Sequence, residues 1–269
     1  RLSPPSGQSE GELRAVVELE NGETYEKQLN LIEYDHIPTQ MVMLDNSAKA
    51  VKIGLEKAGE RIGYIMGAGD EIPNSLRQIG YEVDLLEEED ITAERLQQYD
   101  AVILGIRVYN TRERMPFYQP VLFDYVKTGG TLIAQYNTTW NLKMDMEDIA
   151  PLPLKISRDR VTVEEAEVRF LAPEHPVLNW PNKITEADFE GWVQERGLYF
   201  PNEWDEAYTP ILSSNDPGED PKDGGLLVAE YGEGYYIYTG YSWFRELPAG
   251  VPGAYRLFAN LISIGKQER

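Results

Sequence analysis

The chain has 269 residues, 42% of them apolar, which suffices for one large domain or for a medium domain with an added piece. Its formal charge of −21 repels phosphate backbones and anionic lipid, which argues against nucleic acid and membrane surfaces and leaves neutral or cationic ligands, or plain solubility, as its meaning. The absence of cysteine excludes thiol catalysis, disulfides and cysteine zinc sites, and no run approaches the ~18 apolar residues that a membrane span needs.

No signal peptide is visible. The chain begins on Arg1, and the stretch to Glu12 is polar and contains Pro, Ser and Gly. It reads as a fragment or processed form of something longer. In "LRAVVELENGETYEKQLNL", Asn21-Gly22 separates two strand-like runs and accepts the positive φ angles of a type I′ hairpin turn. "TQMVMLD" and "KAVKIGL" read as further strands. Residues 1–57 therefore read as a β segment, the tail of a preceding β-domain, too short to close a sandwich alone.

From Gly59 the pattern changes. "RIGYIM" is an apolar strand ending in "GAGDEIP", "SLRQIG" a short helix stopped by Gly80, and "YEVDLL" a strand. "TAERLQQY" is a helix with Thr92 as N-cap. "AVILGI" is continuously apolar, as in a strand buried on both faces. In "RMPFYQPVLFDYVKTGG", Met115, Tyr118, Leu122, Tyr125 and Val126 share one helical face, and Gly129-Gly130 ends the helix. "TLIAQY" is the next strand. This alternation predicts an α/β fold with a doubly wound parallel sheet of flavodoxin-like type. Residues 138–222 are irregular and read as an insertion over the strand ends. "GLLVAEYGEGYYIYTG" then forms a hairpin, and "PGAYRLFANLIS" a closing helix with Pro252 in its first turn.

Ligands of such sheets bind beyond the carboxyl ends of the strands. The loops there contain Arg107, Tyr109, Asn110 and Arg112, then Gln135 and Asn137, then Trp243 and Arg245. Arginine, asparagine and tryptophan recur in them more than a merely solvated loop requires. Within the insertion, "GWVQERGLYF" sets Trp192 and Tyr199 beside Gln194, Glu195 and Arg196. Aromatic faces suit sugar CH groups and planar polar groups suit hydroxyls, although an aromatic cluster pinning the insertion explains the stretch equally well.

Other chemistries find less support. "GAGDE" is not GxGxxG, and its acids repel phosphate, so a tight strand-to-helix turn explains it. His36 and His175 lie in separate segments, and we expect no metal site. Asp216, Glu219, Asp220 and Asp223 read as a solvated loop rather than a calcium site. Ser242 lacks a Gly-x-Ser-x-Gly context. Paired carboxylates for hydrolysis would have to come from Glu190, Glu195 and Glu246.

The stretches "RIGYIMGAGDEIPNSLRQIGYEVDLL", "YDAVILGIRVYNTRERM", "GGTLIAQYNTTW", "RVTVEEAEVRFLAPEHPVLNWPNKITEADFEGWVQERGLYF" and "LLVAEYGEGYYIYTGYSWFRELPAGVPGAYRLFANLI" together resemble the C-terminal region of long bacterial PIG-L/LmbE-like de-N-acetylases. The match spans about residues 58–265. The resembled region has a class I glutamine amidotransferase-like fold, close to ThuA-like domains, and "IEYDHIPTQMVML" resembles the last strands of the β-domain that precedes it.

The resemblance implies a parent enzyme that uses zinc to remove an N-acetyl group from an amino sugar. Its zinc motif, a Pro-His-Pro-Asp-Asp type run, does not occur here, so no cofactor is expected in this chain and zinc is expected in a separate catalytic domain. The amidotransferase nucleophile is a cysteine at the elbow after a central strand, and the nearest equivalent is around Gln135 to Asn137. The expectation is a non-catalytic accessory domain, glycan-binding or interdomain, of a periplasmic or secreted de-N-acetylase. Its partners would be that enzyme's own catalytic and β domains and an amino-sugar glycan. The alternatives are an independent hydrolase using carboxylates and a pure scaffold.

Overall fold

The computed structural model describes residues 6–267; the first five residues of the polar stretch from Arg1 lie outside them. The chain divides into two compact units between Gly54 and Leu55.

The first unit contains β1 (Ser9–Arg14), β2 (Val17–Glu18), β3 (Thr24–Tyr25), β4 (Lys27–Tyr34), β5 (Ile37–Asp45) and β6 (Ser47–Lys52). Among the described residues they pair two by two, as β1 with β6, β2 with β3 and β4 with β5, all antiparallel. A turn joins β2 and β3 at Asn21-Gly22 as expected, but it is not type I′: Gly22 has φ 85° while Asn21 has no positive φ, and Gly22 N donates to Leu19 O at 2.9 Å. No described residue of this unit is buried. In β4 and β5, Leu29 faces Met43 and Leu31 faces Met41, and all four are exposed.

The second unit runs β7 (Arg61–Ile65), α1 (Ile72–Gln78), β8 (Glu82–Leu85), α2 (Ala93–Leu96), β9 (Ala101–Leu104), α3 (Val108–Thr111), α4 (Met115–Lys127) and β10 (Thr131–Gln135). There follow β11 (Leu154–Val161), β12 (Val168–Phe170), α5 (Pro176–Asn179), β13 (Gly197–Trp204), β14 (Thr209–Pro210) and β15 (Leu212–Ser214). The unit closes with β16 (Leu226–Tyr231), β17 (Gly234–Thr239), α6 (Trp243–Glu246) and α7 (Pro252–Ser263).

Its seven-stranded sheet has the order β14-β16-β17-β10-β9-β7-β8. The five strands from β17 to β8 are parallel, and β16 and β14 extend the sheet antiparallel. Alternate strand residues point to opposite faces. Val102, Leu104, Leu132 and Ala134 pack with Tyr118, Leu122 and Val126 of α4 on one face. Burial on both faces explains why β9 reads as an unbroken apolar run. Thr92 caps α2 by accepting a hydrogen bond from Arg95 N at 3.2 Å. The segment that reads as irregular in sequence holds two further ladders, β11 with β13 and β12 with β15, and supplies the edge strand β14.

Candidate functional site

The elbow after β9 is built by close packing. The chain turns through Gly105, Ile106 and Arg107 into α3, and Arg107 sits in the left-handed region with φ 58° and ψ 27°. That conformation costs an L-residue about 1–2 kcal/mol. The loop after β7 presses on the turn: a Cβ on Gly67 would lie 2.1 Å from Ile106 O. Ala68 N donates to the same oxygen at 2.8 Å, and Arg107 N donates to Tyr136 O at 2.8 Å. Sequence reasoning expects the nucleophile equivalent around Gln135 to Asn137, after β10. None of those three residues has a positive φ, whereas Arg107, after β9, does.

Hydrogen bonds at the sheet end involve four of the residues expected to contact a ligand. Asn137 Oδ1 accepts from Tyr109 N at 2.9 Å, and Asn137 Nδ2 donates to Gln135 O at 2.9 Å. Asn110 Oδ1 accepts from Thr138 N at 2.9 Å, while its Nδ2 donates to Thr138 O at 3.2 Å and Trp140 O at 2.9 Å. The Tyr109 hydroxyl accepts from Gln119 Nε2 at 2.9 Å. Gln135 Nε2 donates to the Tyr64 hydroxyl at 3.0 Å, which donates to the Asp70 carboxylate at 2.7 Å. Burial raises the Asp70 carboxyl above its ordinary range. Tyr109, Asn110, Gln135 and Asn137 are all buried, so they hold the loops in place and do not reach a ligand.

The surface above them is aromatic. Tyr136 stacks on Tyr199 at 5.9 Å with 11° between planes, and it meets Phe244 at 5.5 Å. Trp140, 49% exposed, packs edge-on against Tyr199 at 5.4 Å. Burial raises the Tyr136 hydroxyl, with Arg107, Glu195 and Arg245 all acting on it electrostatically. Arg245 Nε donates to Glu195 Oε1 at 2.8 Å, and a second nitrogen donates to Gln194. Ser242 Oγ donates to Glu195 at 3.2 Å. Arg107 makes no ion pair or side-chain hydrogen bond with the described residues, and its buried Nε has no partner. Among the described residues the non-glycine positions with positive φ are Arg107, Asn141 and Gln194 in loops and Tyr199 within β13. Strain of this kind concentrates at functional sites. Tyr136, Trp140 and Phe244, which sequence places in the strand-end loops, do converge; Tyr136 is buried and Trp140 is the exposed ring.

Trp192 and Trp243 are elsewhere. They are 4% and 0% exposed and pack on one another at 5.5 Å, with Tyr241 and Phe258 around Trp243. Neither can offer a ring face to a sugar, which corrects the expectation of an aromatic platform at these positions. Arg196 is buried beside Trp192 and donates to Ala166 O and Phe189 O, and burial lowers its pKa. It too is a structural residue. Glu246 is fully buried, accepts from Val193 N at 3.0 Å, and is pushed up to about 8 by burial. Sealed from solvent, it cannot reach a substrate. Glu190 is exposed, and Glu195 is held by Arg245 and Ser242.

Arg112 donates to Met66 O at 2.9 Å and to Glu87 at 3.1 Å, joining the loops after β7 and β8. Asp216 accepts from Thr162 N and Val163 N; burial would raise its carboxyl, but these bonds outweigh it and hold it low. His175 caps α5 through Nδ1, which accepts from Val177 N at 3.2 Å. Among the described residues no three His, Asp or Glu side chains come together as metal ligands, so these residues do not fit a zinc ion. Among them, too, no helix is long and apolar enough to cross a membrane.

No family model and no curated protein matches the chain. Solved structures do. A cytoplasmic protein of Salmonella typhimurium superposes with TM-score 0.50 at 14% identity, over 95% of each chain. A GMP synthase-like protein of Thermoplasma acidophilum gives TM-score 0.50 at 11% identity, over 78% of this chain and 96% of that one. A ThuA-like protein of Bacteroides uniformis gives TM-score 0.47 at 14% identity, over 76% of this chain and 89% of that one. With the sheet order above, the first two define the fold class, a flavodoxin-like α/β fold of the glutamine amidotransferase-like kind.

Proposed function

We propose that this chain is a non-catalytic, amidotransferase-like accessory domain of a multidomain amino-sugar de-N-acetylase, periplasmic or secreted, with zinc confined to the parent's catalytic domain. The observation that carries the reading is the strand end after β10. Gln135, Tyr136 and Asn137 stand about where the resembled fold carries its cysteine, and the Gln135 and Asn137 side chains are buried in hydrogen bonds to neighbouring loops. A carboxamide cannot replace a thiol nucleophile. The long sequence stretches that resemble PIG-L/LmbE-like proteins support the parentage. The exposed Trp140, edge-on to half-buried Tyr199, supports a glycan contact over a bare interdomain scaffold.

The test is calorimetry of this chain against N-acetylated and free amino-sugar oligomers, alongside assays for glutamine hydrolysis and deacetylation. The expected result is no turnover and weak binding, ~0.1 to 1 mM or about −4 to −5.5 kcal/mol. Turnover abolished by Glu195→Gln would establish the hydrolase alternative. No binding to any oligomer would leave the scaffold reading.

A further inference from the structure

We propose that the groove between residues 146–153, the start of β11 and the end of β13 binds a sugar with a free ammonium group, the de-N-acetylated form rather than the N-acetylated one. The proposal rests on the glycan-binding reading above and adds to it a second site and the form of sugar that site takes.

The groove encloses about 900 Å3, within the range of small-molecule sites. Met146, Leu152 and Trp204 give it an apolar floor and pack against the core that α4 covers. Hydrogen bonds fix the wall. Ile149 O accepts from Gln119 Nε2 at 2.9 Å and from the Tyr236 hydroxyl at 3.1 Å. Leu152 O accepts from the Tyr208 hydroxyl at 3.3 Å, and Pro153 O from Asp205 N at 2.9 Å. Leu154 and Trp204 are partners across β11 and β13, and a Cβ on Gly224 would lie 3.1 Å from the Trp204 ring. A groove formed in advance spends little of its binding energy on ordering.

The ring and the charges around it point to the ligand. Among the described residues no cation and no other ring packs on Trp204, whereas Tyr199 and Arg158 both lie against Trp140. Glu147, Asp148, Glu203 and Asp205 line the groove against one cationic group, Lys155, which Glu203 already holds. Glu147, Asp148 and Asp205 make no ion pair with the described residues; Asp205 accepts from Ala207 N at 2.9 Å. Like charges gathered around an apolar floor repel one another, and a cation bound there relieves the repulsion. Carboxylates accept hydrogen bonds and do not donate them, so they match the ammonium and hydroxyl groups of an amino sugar. The carbonyl of an N-acetyl group needs a donor, and the lysine of the groove is taken. An indole suits the CH groups of a sugar ring and attracts a cation as well.

The test titrates the 269-residue chain with the trimers of glucosamine and of N-acetylglucosamine, and with trilysine, at pH 6, where amines are protonated. Wild type, the double variant Glu147→Gln/Asp148→Asn and Trp140→Ala are compared by calorimetry, and hydrogen exchange locates the bound trimer. The expected result is that the glucosamine trimer binds about tenfold or more tighter than the N-acetylated one, less so in about 0.5 M salt. It should protect amides of residues 146–155, and the double variant should lose the preference without a change in melting temperature. Equal binding of the two trimers, a preference surviving the double variant, or protection confined to the loop around Trp140 would each overturn the groove as the site. Trilysine binding as tightly as the glucosamine trimer would overturn the sugar as its ligand. Binding of the N-acetylated trimer that Trp140→Ala removes, with no gain from the free amine, would keep the glycan reading and overturn the groove. A free-amine preference unmoved by Trp140→Ala, with protection at residues 146–155 alone, would keep the groove and remove the strand-end glycan contact.

Discussion

Replacing Glu246 with glutamine should make the fold more stable in alkaline buffer and leave it unchanged in acid. Glu246 lies at 0% exposure with Val193 N as its hydrogen-bond donor. Its carboxyl ionises near 8 in the fold against an ordinary value of 4.5. Between those values the folded chain keeps a proton that the unfolded chain has released. Stability therefore falls as pH rises, by about 1.36 kcal/mol per unit. Over the roughly 3.5 units between the two values the loss approaches 4 to 5 kcal/mol, fully present as stability below 4.5 and gone above 8. Glutamine keeps the shape and an acceptor for Val193 N but cannot ionise. Urea melts of wild type and Glu246→Gln at pH 5 and pH 8.5 are the assay. The two should coincide within about 1 kcal/mol at the lower pH and differ by about 3 to 5 kcal/mol at the higher, with the variant ahead. A difference independent of pH, or a variant less stable in alkali, would refute the reasoning.

Gly67→Ala should lower stability by about 2–3 kcal/mol in a urea melt, because the added Cβ meets backbone oxygen at Ile106 rather than a side chain that can move. Asn110→Ala removes the side-chain bonds to Thr138 and Trp140 and should cost about 2–3 kcal/mol, with faster hydrogen exchange at the Thr138 amide. Trp243→Ala should cost about 3–5 kcal/mol in the same melt. Trp140→Ala should cost under about 1 kcal/mol of stability while weakening amino-sugar binding by about 1 kcal/mol in calorimetry.

The centre of the parallel sheet was legible because β9 and β10 are buried on both faces. Ala101–Leu104 and Thr131–Gln135 could be little else once bounded by Gly105 and Gly130. Thr92 carried its cap in the residue type itself, and Asn21-Gly22 marked the place of a turn but not its type. β11 was not legible because its alternation of Leu154 and Ile156 breaks at register shifts between Ile156 and Asp159 and on to Val161, which erase the period of two. β14, only Thr209–Pro210, is too short to leave a pattern.

At the site, sequence picks out the right loops but not the roles within them. Arginine carries no signal for a left-handed φ, and nothing near Arg107 in sequence reveals that Gly67 packs against Ile106 O. Nor does "GWVQER" reveal that Trp192 faces Trp243 rather than solvent, since that is decided by packing between distant segments. Gln135 and Asn137 look like ligand donors because asparagine and glutamine serve loop closure and ligand binding with the same atoms.

The three separate ladders of residues 9–52 bury no residue, and this bears on how unfolding of the chain will register. Heat-capacity change and denaturant sensitivity both scale with the apolar surface exposed on unfolding. A segment whose Leu29, Leu31, Met41 and Met43 already face water adds almost nothing to either. Calorimetric and urea transitions of this chain should therefore carry the signature of a shorter protein, that of the residues from Leu55 onward.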